Sequence, residues 1–146
     1  MSKKYIPPDP TYKLEAYFTK YNRKYKVDII FFKDNTTFLN YYNSSTVNAN
    51  YHAIAGAIFE DPVKSNKYLV GTIAFDLSSL SPAIIAHEVV HICFNWFERV
   101  RDSDLVFKGR RKEETFCGIL QEVMDQIFRF MKNQKISYHE TTPFDE

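Results

Sequence analysis

The spacing of hydrophobic positions changes along the chain, and each change predicts an element. Across residues 11–24, Leu14, Tyr17, Phe18 and Tyr21 recur at helical spacing, with lysines and Arg23 on the other side, which predicts a helix. Residues 27–33 are rich in β-branched and aromatic side chains and predict a strand. Residues 43–50 are polar and form a loop by composition. Residues 51–59 and 67–75 read as two further strands. Between them Glu60, Asp61, Pro62, Ser65 and Asn66 are turn formers, so the pair is expected to be an antiparallel hairpin. Its second strand, over residues 68–75, is expected to leave an open edge to which an extended peptide can add.

Further on the period becomes helical again. Ser81 suits an N-cap and Pro82 the first helical position, so a helix is expected from there to about residue 100. A charged loop with Gly109, Arg110 and Arg111 leads to a second long helix over residues 113–132. Pro7, Pro8 and Pro10 make residues 1–10 an extended lead-in, and residues 139–146 form a tail ordered only where it packs. The expected fold is α+β, a single domain over residues 1–146. A small antiparallel or mixed sheet packs against two long helices.

Composition narrows the partners. A chain of 146 residues, 45% hydrophobic and 25% charged, can bury a core without staples. Cys93 and Cys117 lie in apolar helical stretches and are expected to be reduced, buried thiols. A net charge of +1 gives no electrostatic case for nucleic acid or membrane as the main partner. Residues 1–26 do carry Lys3, Lys4, Lys13, Lys20, Arg23, Lys24 and Lys26 against Asp9 and Glu15, with Tyr interleaved. A nucleic-acid or acidic-partner module would rest on that segment, although a solvated face is its ordinary explanation. The start of the chain lacks the apolar region of a signal peptide, and no apolar run nears the ~20 residues of a membrane span. A cytoplasmic location is expected.

The chemistry concentrates in Ala86-His87-Glu88-Val89-Val90-His91. Residues four apart on a helix share a face, so His87 and His91 can aim both imidazoles at one metal ion. Glu88 falls beside them, placed to take a proton from an activated water. At 100° per residue from His87, the residues Glu98, His91, Ile84, Asn95 and Glu88 fall within the next 100° of arc. Ala86, Val89, Val90, Cys93, Trp96, Phe97 and Val100 lie on the far side. An ordinary wet helix face uses Lys, Glu and Arg. This stripe uses two of the four histidines and no Lys.

A zinc site of this kind needs a third protein ligand. Glu113 and Glu114, 22 and 23 residues after His91, are the candidates. An HExxH helix followed by a second helix that opens on a glutamate resembles the gluzincin zinc peptidases, both thermolysin-like and aminopeptidase-type. In that pattern a small and then an apolar residue follow the ligand Glu, and Glu114-Thr115-Phe116-Cys117-Gly118-Ile119-Leu120 matches with Glu114 as ligand. Helix phase points the other way. Glu113 lies nearer the middle of the apolar arc of Phe116, Cys117, Leu120, Val123 and Met124.

The compact size, with strands at residues 53–59 and 72–76 feeding the motif helix, resembles the small ImmA/IrrE-like peptidases of phages and mobile elements; the likeness covers about residues 51–131. It implies a zinc-dependent peptidase of phage or bacterial source acting on a peptide or protein. Zinc would be held by His87, His91 and Glu114, with Glu88 as general base and then proton donor to the leaving amine. A Tyr or His elsewhere would stabilise the oxyanion, with Tyr51, His52, Tyr138 and His139 as candidates. The chain departs from the pattern at Glu113, where many gluzincins have Asn, and at Gly118, where the thermolysin group has a carboxylate. Glu98 and Asp125 are the candidate replacements for that carboxylate. The competing reading is a zinc-binding protein of the same fold without turnover, in which Glu88 would have no task.

Overall fold

The computed structural model describes residues 6–42, 57–60, 68–99 and 110–142. Its elements in chain order are β1 (Tyr12–Lys20), β2 (Arg23–Phe32), α1 (Asn35–Tyr42), β3 (Ala57–Glu60), β4 (Leu69–Asp76), α2 (Pro82–Arg99) and α3 (Arg110–Asn133). A single 3₁₀ turn, Leu77–Ser79, links β4 to α2. The sheet has four strands in the order β1-β2-β4-β3. Pairing is antiparallel at each end and parallel between β2 and β4, so the class is α+β with a mixed sheet.

Residues 11–24 are not a helix. They form β1 and the turn into β2, paired in register from Tyr12↔Phe31 to Lys20↔Arg23. The segment carries two periods at once. Tyr12, Leu14, Ala16 and Phe18 alternate along a strand and pack into the main core, while Leu14, Tyr17, Phe18 and Tyr21 also suit a helix. A neighbouring strand of matching alternation decides between them. The turn also lacks the usual signal, because Tyr21 and Asn22 stand where a hairpin favours Asn-Gly. Both have positive φ, 53° and 60°, as a two-residue hairpin turn of this hand requires. Left-handed backbone costs a bulky residue about 1–2 kcal/mol. Here the Tyr21 ring lies nearly parallel to that of Trp96, with centroids 6.2 Å apart, which helps to offset that cost.

The C-terminal half of β2 is apolar on both faces because both are covered there. Val27, Ile29 and Phe31 face the core under α2 and α3, while Ile30 and Phe32 meet Phe38 of α1 and Ala74 of β4. No helix was expected at α1. Its signal is Asp34, whose Oδ1 accepts from the Thr37 N–H at 2.8 Å and from the Thr37 hydroxyl at 2.7 Å, an N-cap in form.

Of the strands expected at residues 51–59 and 67–75, the described parts pair antiparallel from Ala57↔Phe75 to Glu60↔Thr72; residues 43–56, with the expected loop and the start of the first strand, and the expected turn at 61–67 lie outside the described residues. The expected open edge at residues 68–75 is corrected. β4 is interior, between β2 and β3, as its apolar composition on both faces requires. Among the described strands the sheet ends are β1 and β3.

The β1 end is closed at its middle by one side chain. Gln126 of α3 accepts from the Tyr17 N–H at 2.9 Å and donates to the Tyr17 carbonyl at 2.7 Å, pairing as a neighbouring strand would. Ile119, Val123, Ile127 and Met131 hold α3 in the core. Of the lead-in expected over residues 1–10, residues 6–10 form no regular element and residues 1–5 lie outside the described residues. The C-terminal segment packs back on the start of α2. The His139 N–H donates to the Leu80 carbonyl at 2.7 Å, and the Thr142 and Ser81 hydroxyls are 2.8 Å apart. Among the described residues no helix is long and apolar enough to cross a membrane.

Candidate metal centre

α2 carries the site, and its start is set locally. Ser81, wholly buried, accepts from the Ile84 N–H at 3.3 Å, and Pro82 follows with a fixed φ. Ile85, Val89, Ile92, Cys93, Trp96 and Phe97 then sink into the core. That fixes the rotation of the helix and leaves Ala83, His87, His91, Phe94 and Glu98 exposed. The polar stripe expected from the sequence is therefore divided. Ile84, Glu88 and Asn95 are buried along one margin, and Asn95 donates through Nδ2 to the Val70 carbonyl, tying α2 to β4.

The motif converges as its spacing predicts. His87 Nε2 and His91 Nε2 face one another at 3.3 Å. That is long for a hydrogen bond between ring nitrogens. Two imidazole nitrogens at 2.0–2.1 Å from a tetrahedral zinc would stand about 3.3–3.4 Å apart, so the pair fits that ion. Glu88 Oε1 lies 3.9 Å from His87 Nε2. His87, Glu88 and His91 together form a group whose ligand atoms lie within 4.8 Å of one another.

Burial and charge prepare these groups differently. The Glu88 side chain is only 6% exposed against 66% for His87, and burial pushes its carboxyl up to about 7. For His91, burial first and the neighbouring His87 second lower the pKa, favouring the neutral ring that a metal requires.

The remaining candidates are not all brought together. Glu113 and Glu114 are exposed in the first turns of α3 and lie outside the His87–Glu88–His91 group. Phe116 rests on Phe94 and Phe97, in the half of α2 beyond His91. Relative to the buried residue Val123, Glu113 lies about 80° around α3 and Glu114 about 180°, so Glu113 is nearer the packed side. Glu98 and Asp125 are exposed. His139 is held through Nε2 at 2.8 Å from the Ser78 carbonyl, and Tyr138 packs edge-on against Phe128; Tyr51 and His52 lie outside the described residues.

Two expectations about other groups change. Cys93 is buried, its thiol pushed up to about 12 by burial and then by Cys117, but Cys117 is exposed on α3. The basic N-terminal segment is a hairpin whose cations are partly engaged. Lys26 Nζ lies 3.4 Å from Asp28 and 3.7 Å from Glu15, and Lys24 Nζ sits 4.2 Å over the Tyr17 ring. Lys3 and Lys4 lie outside the described residues. Sequence reasoning passed over Phe94, although helix phase alone puts it about 20° from His87. Compared with protein-family profiles, curated proteins and solved structures, the chain matches none.

Proposed function

We propose that the protein is a zinc-dependent peptidase. The observation that carries this reading is the 3.3 Å approach of His87 Nε2 and His91 Nε2 with a buried carboxylate, Glu88, at their side. His87 and His91 would hold the ion, with Glu114 or Glu113 at the start of α3 as the candidate third donor. The chemistry that zinc would supply there is Lewis acidity toward water and a carbonyl oxygen. Glu88 accepts the proton of the attacking water on its carboxylate and returns it to the leaving amine. Its burial keeps bulk water from competing for that proton. An extended peptide adds to β3, an end strand packed beside α2, by main-chain pairing.

The test is metal content by mass spectrometry, followed by peptide cleavage. Wild type is expected to hold one zinc per chain, and His91→Ala none. Glu88→Gln is expected to keep its zinc and lose roughly 10²-fold or more in rate, as removal of a general base does. Glu113→Ala and Glu114→Ala separate the two candidates, since only the true ligand loses the metal. If wild type loaded with zinc retains none after dialysis, the reading fails. Retained zinc with no cleavage of any peptide would leave a zinc-binding protein without turnover.

A further inference from the structure

The exposed stripe of α2 contains one large apolar side chain, which metal binding does not explain. Phe94 is 36% exposed between His91 and Glu98. Among the described residues it is the one large apolar side chain exposed from within a helix or strand. Ile6, Tyr21, Tyr68 and Tyr138 all lie outside regular elements. Phe94 is one turn beyond His91 and nearly in line with His87. Its ring is held rather than loose. It meets Phe116 of α3 edge to face, with centroids 5.4 Å apart at 71°, and Phe116 stacks in turn on Phe97. Two helices thus fix an apolar wall on the side of α2 that presents the imidazoles.

We propose that Phe94, backed by Phe116, determines specificity at this site by receiving a bulky apolar side chain next to the scissile peptide bond. The proposal rests on the peptidase reading. Side chains three apart on a helix are about 5–6 Å apart, and successive Cα atoms of an extended peptide are 3.8 Å apart. A residue flanking a carbonyl held at the imidazoles therefore reaches the Phe94 ring. Covering the ring removes apolar surface from water on both partners, which an aromatic or long aliphatic side chain does and a small polar one does not.

The zinc-loaded protein is given a proteome-derived peptide mixture, and the residues flanking each cleaved bond are read by mass spectrometry. Phe, Tyr, Leu and Met are expected to be favoured over Ser, Asn and Asp at one flanking position by roughly tenfold or more, the range of apolar discrimination. Phe94→Ser is expected to bring that preference to within about twofold, whereas Phe94→Leu keeps it. Binding gives a readout free of turnover. Glu88→Gln protein is titrated, by fluorescence anisotropy, into two labelled peptides differing only by Phe or Ser at the flanking position. The same ratio is expected, and the same loss when Phe94→Ser is added. Should Phe94→Ser fail to fold by circular dichroism, Phe94→Gln takes its place. Cleavage without a flanking preference, or a preference that survives loss of the Phe94 ring, overturns the proposal and leaves the peptidase reading standing. No cleavage at all by zinc-loaded wild type overturns both.

Discussion

Consecutive residues on α2 occupy different media. His87 projects into solvent and Glu88 into the protein, separated by the 100° that one residue turns on a helix. A metal ligand must be reachable, whereas a proton-transfer group gains from being sheltered. In the proposed site, one step of the backbone satisfies both. Asp34 shows the opposite use of a carboxylate. The Thr37 N–H, and then its hydroxyl, hold the Asp34 carboxyl below its ordinary value. With the folded-state pKa depressed, the stabilisation is fully present above the unfolded value and is lost as pH falls through the folded one. Thermal midpoints of wild type and Asp34→Asn should therefore differ at neutral pH, wild type being higher, and converge on acidification through that window. Parallel curves across the window would remove the charged cap from the account of α1.

At the scale of elements, the sheet ends differ. β1 is closed by Gln126, which supplies a donor and an acceptor to Tyr17 from a helix. Gln126→Ala leaves both backbone groups without that partner and is expected to cost about 1–3 kcal/mol in urea denaturation. A loss below about 0.5 kcal/mol would mean that water replaces the amide without penalty. β3 stands at the other end of the strand order, and it is the strand that the proposed substrate uses. Helix signals were legible at α2, where Ser81 and Pro82 mark the start and the helix is described as far as Arg99. They were less so at α1, where Asp34 and Thr37 are a short signal before a helix of only eight residues.

At the scale of the whole molecule, the proposed zinc site would couple metal binding to folding. Zinc that binds the native state stabilises it by about 2.7 kcal/mol at a free concentration a hundredfold above Kd. For a domain of 146 residues this corresponds to roughly 5–10 °C in thermal midpoint. The midpoint is expected to rise on adding zinc, to fall back with a chelator, and to be unmoved in His91→Ala. Wild type that melts at the same temperature with and without zinc would count against the metal centre. The protein presents its imidazoles from a helix anchored by a large aromatic core, in which Trp96 meets Phe18, Tyr25 and Phe97. Positioning at the site therefore depends on packing well away from it.

What the amino-acid sequence determined by itself is what local geometry controls. The spacing of His87 and His91, the neighbouring Glu88, the cap at Ser81 and the apolar face of α3 follow from a period of 3.6 residues and short-range hydrogen bonds. Tertiary structure alone decided the rest. The ambiguous period of residues 11–24 became a strand because β2 was there to pair with it. β4 became interior because β2 and β3 flank it, and Cys117 came to the surface while Cys93 was buried. The placement of Glu113 and Glu114 likewise depends on where Phe116 packs against α2. Each of these turns on contacts between residues distant in the chain, whose energies no local pattern carries.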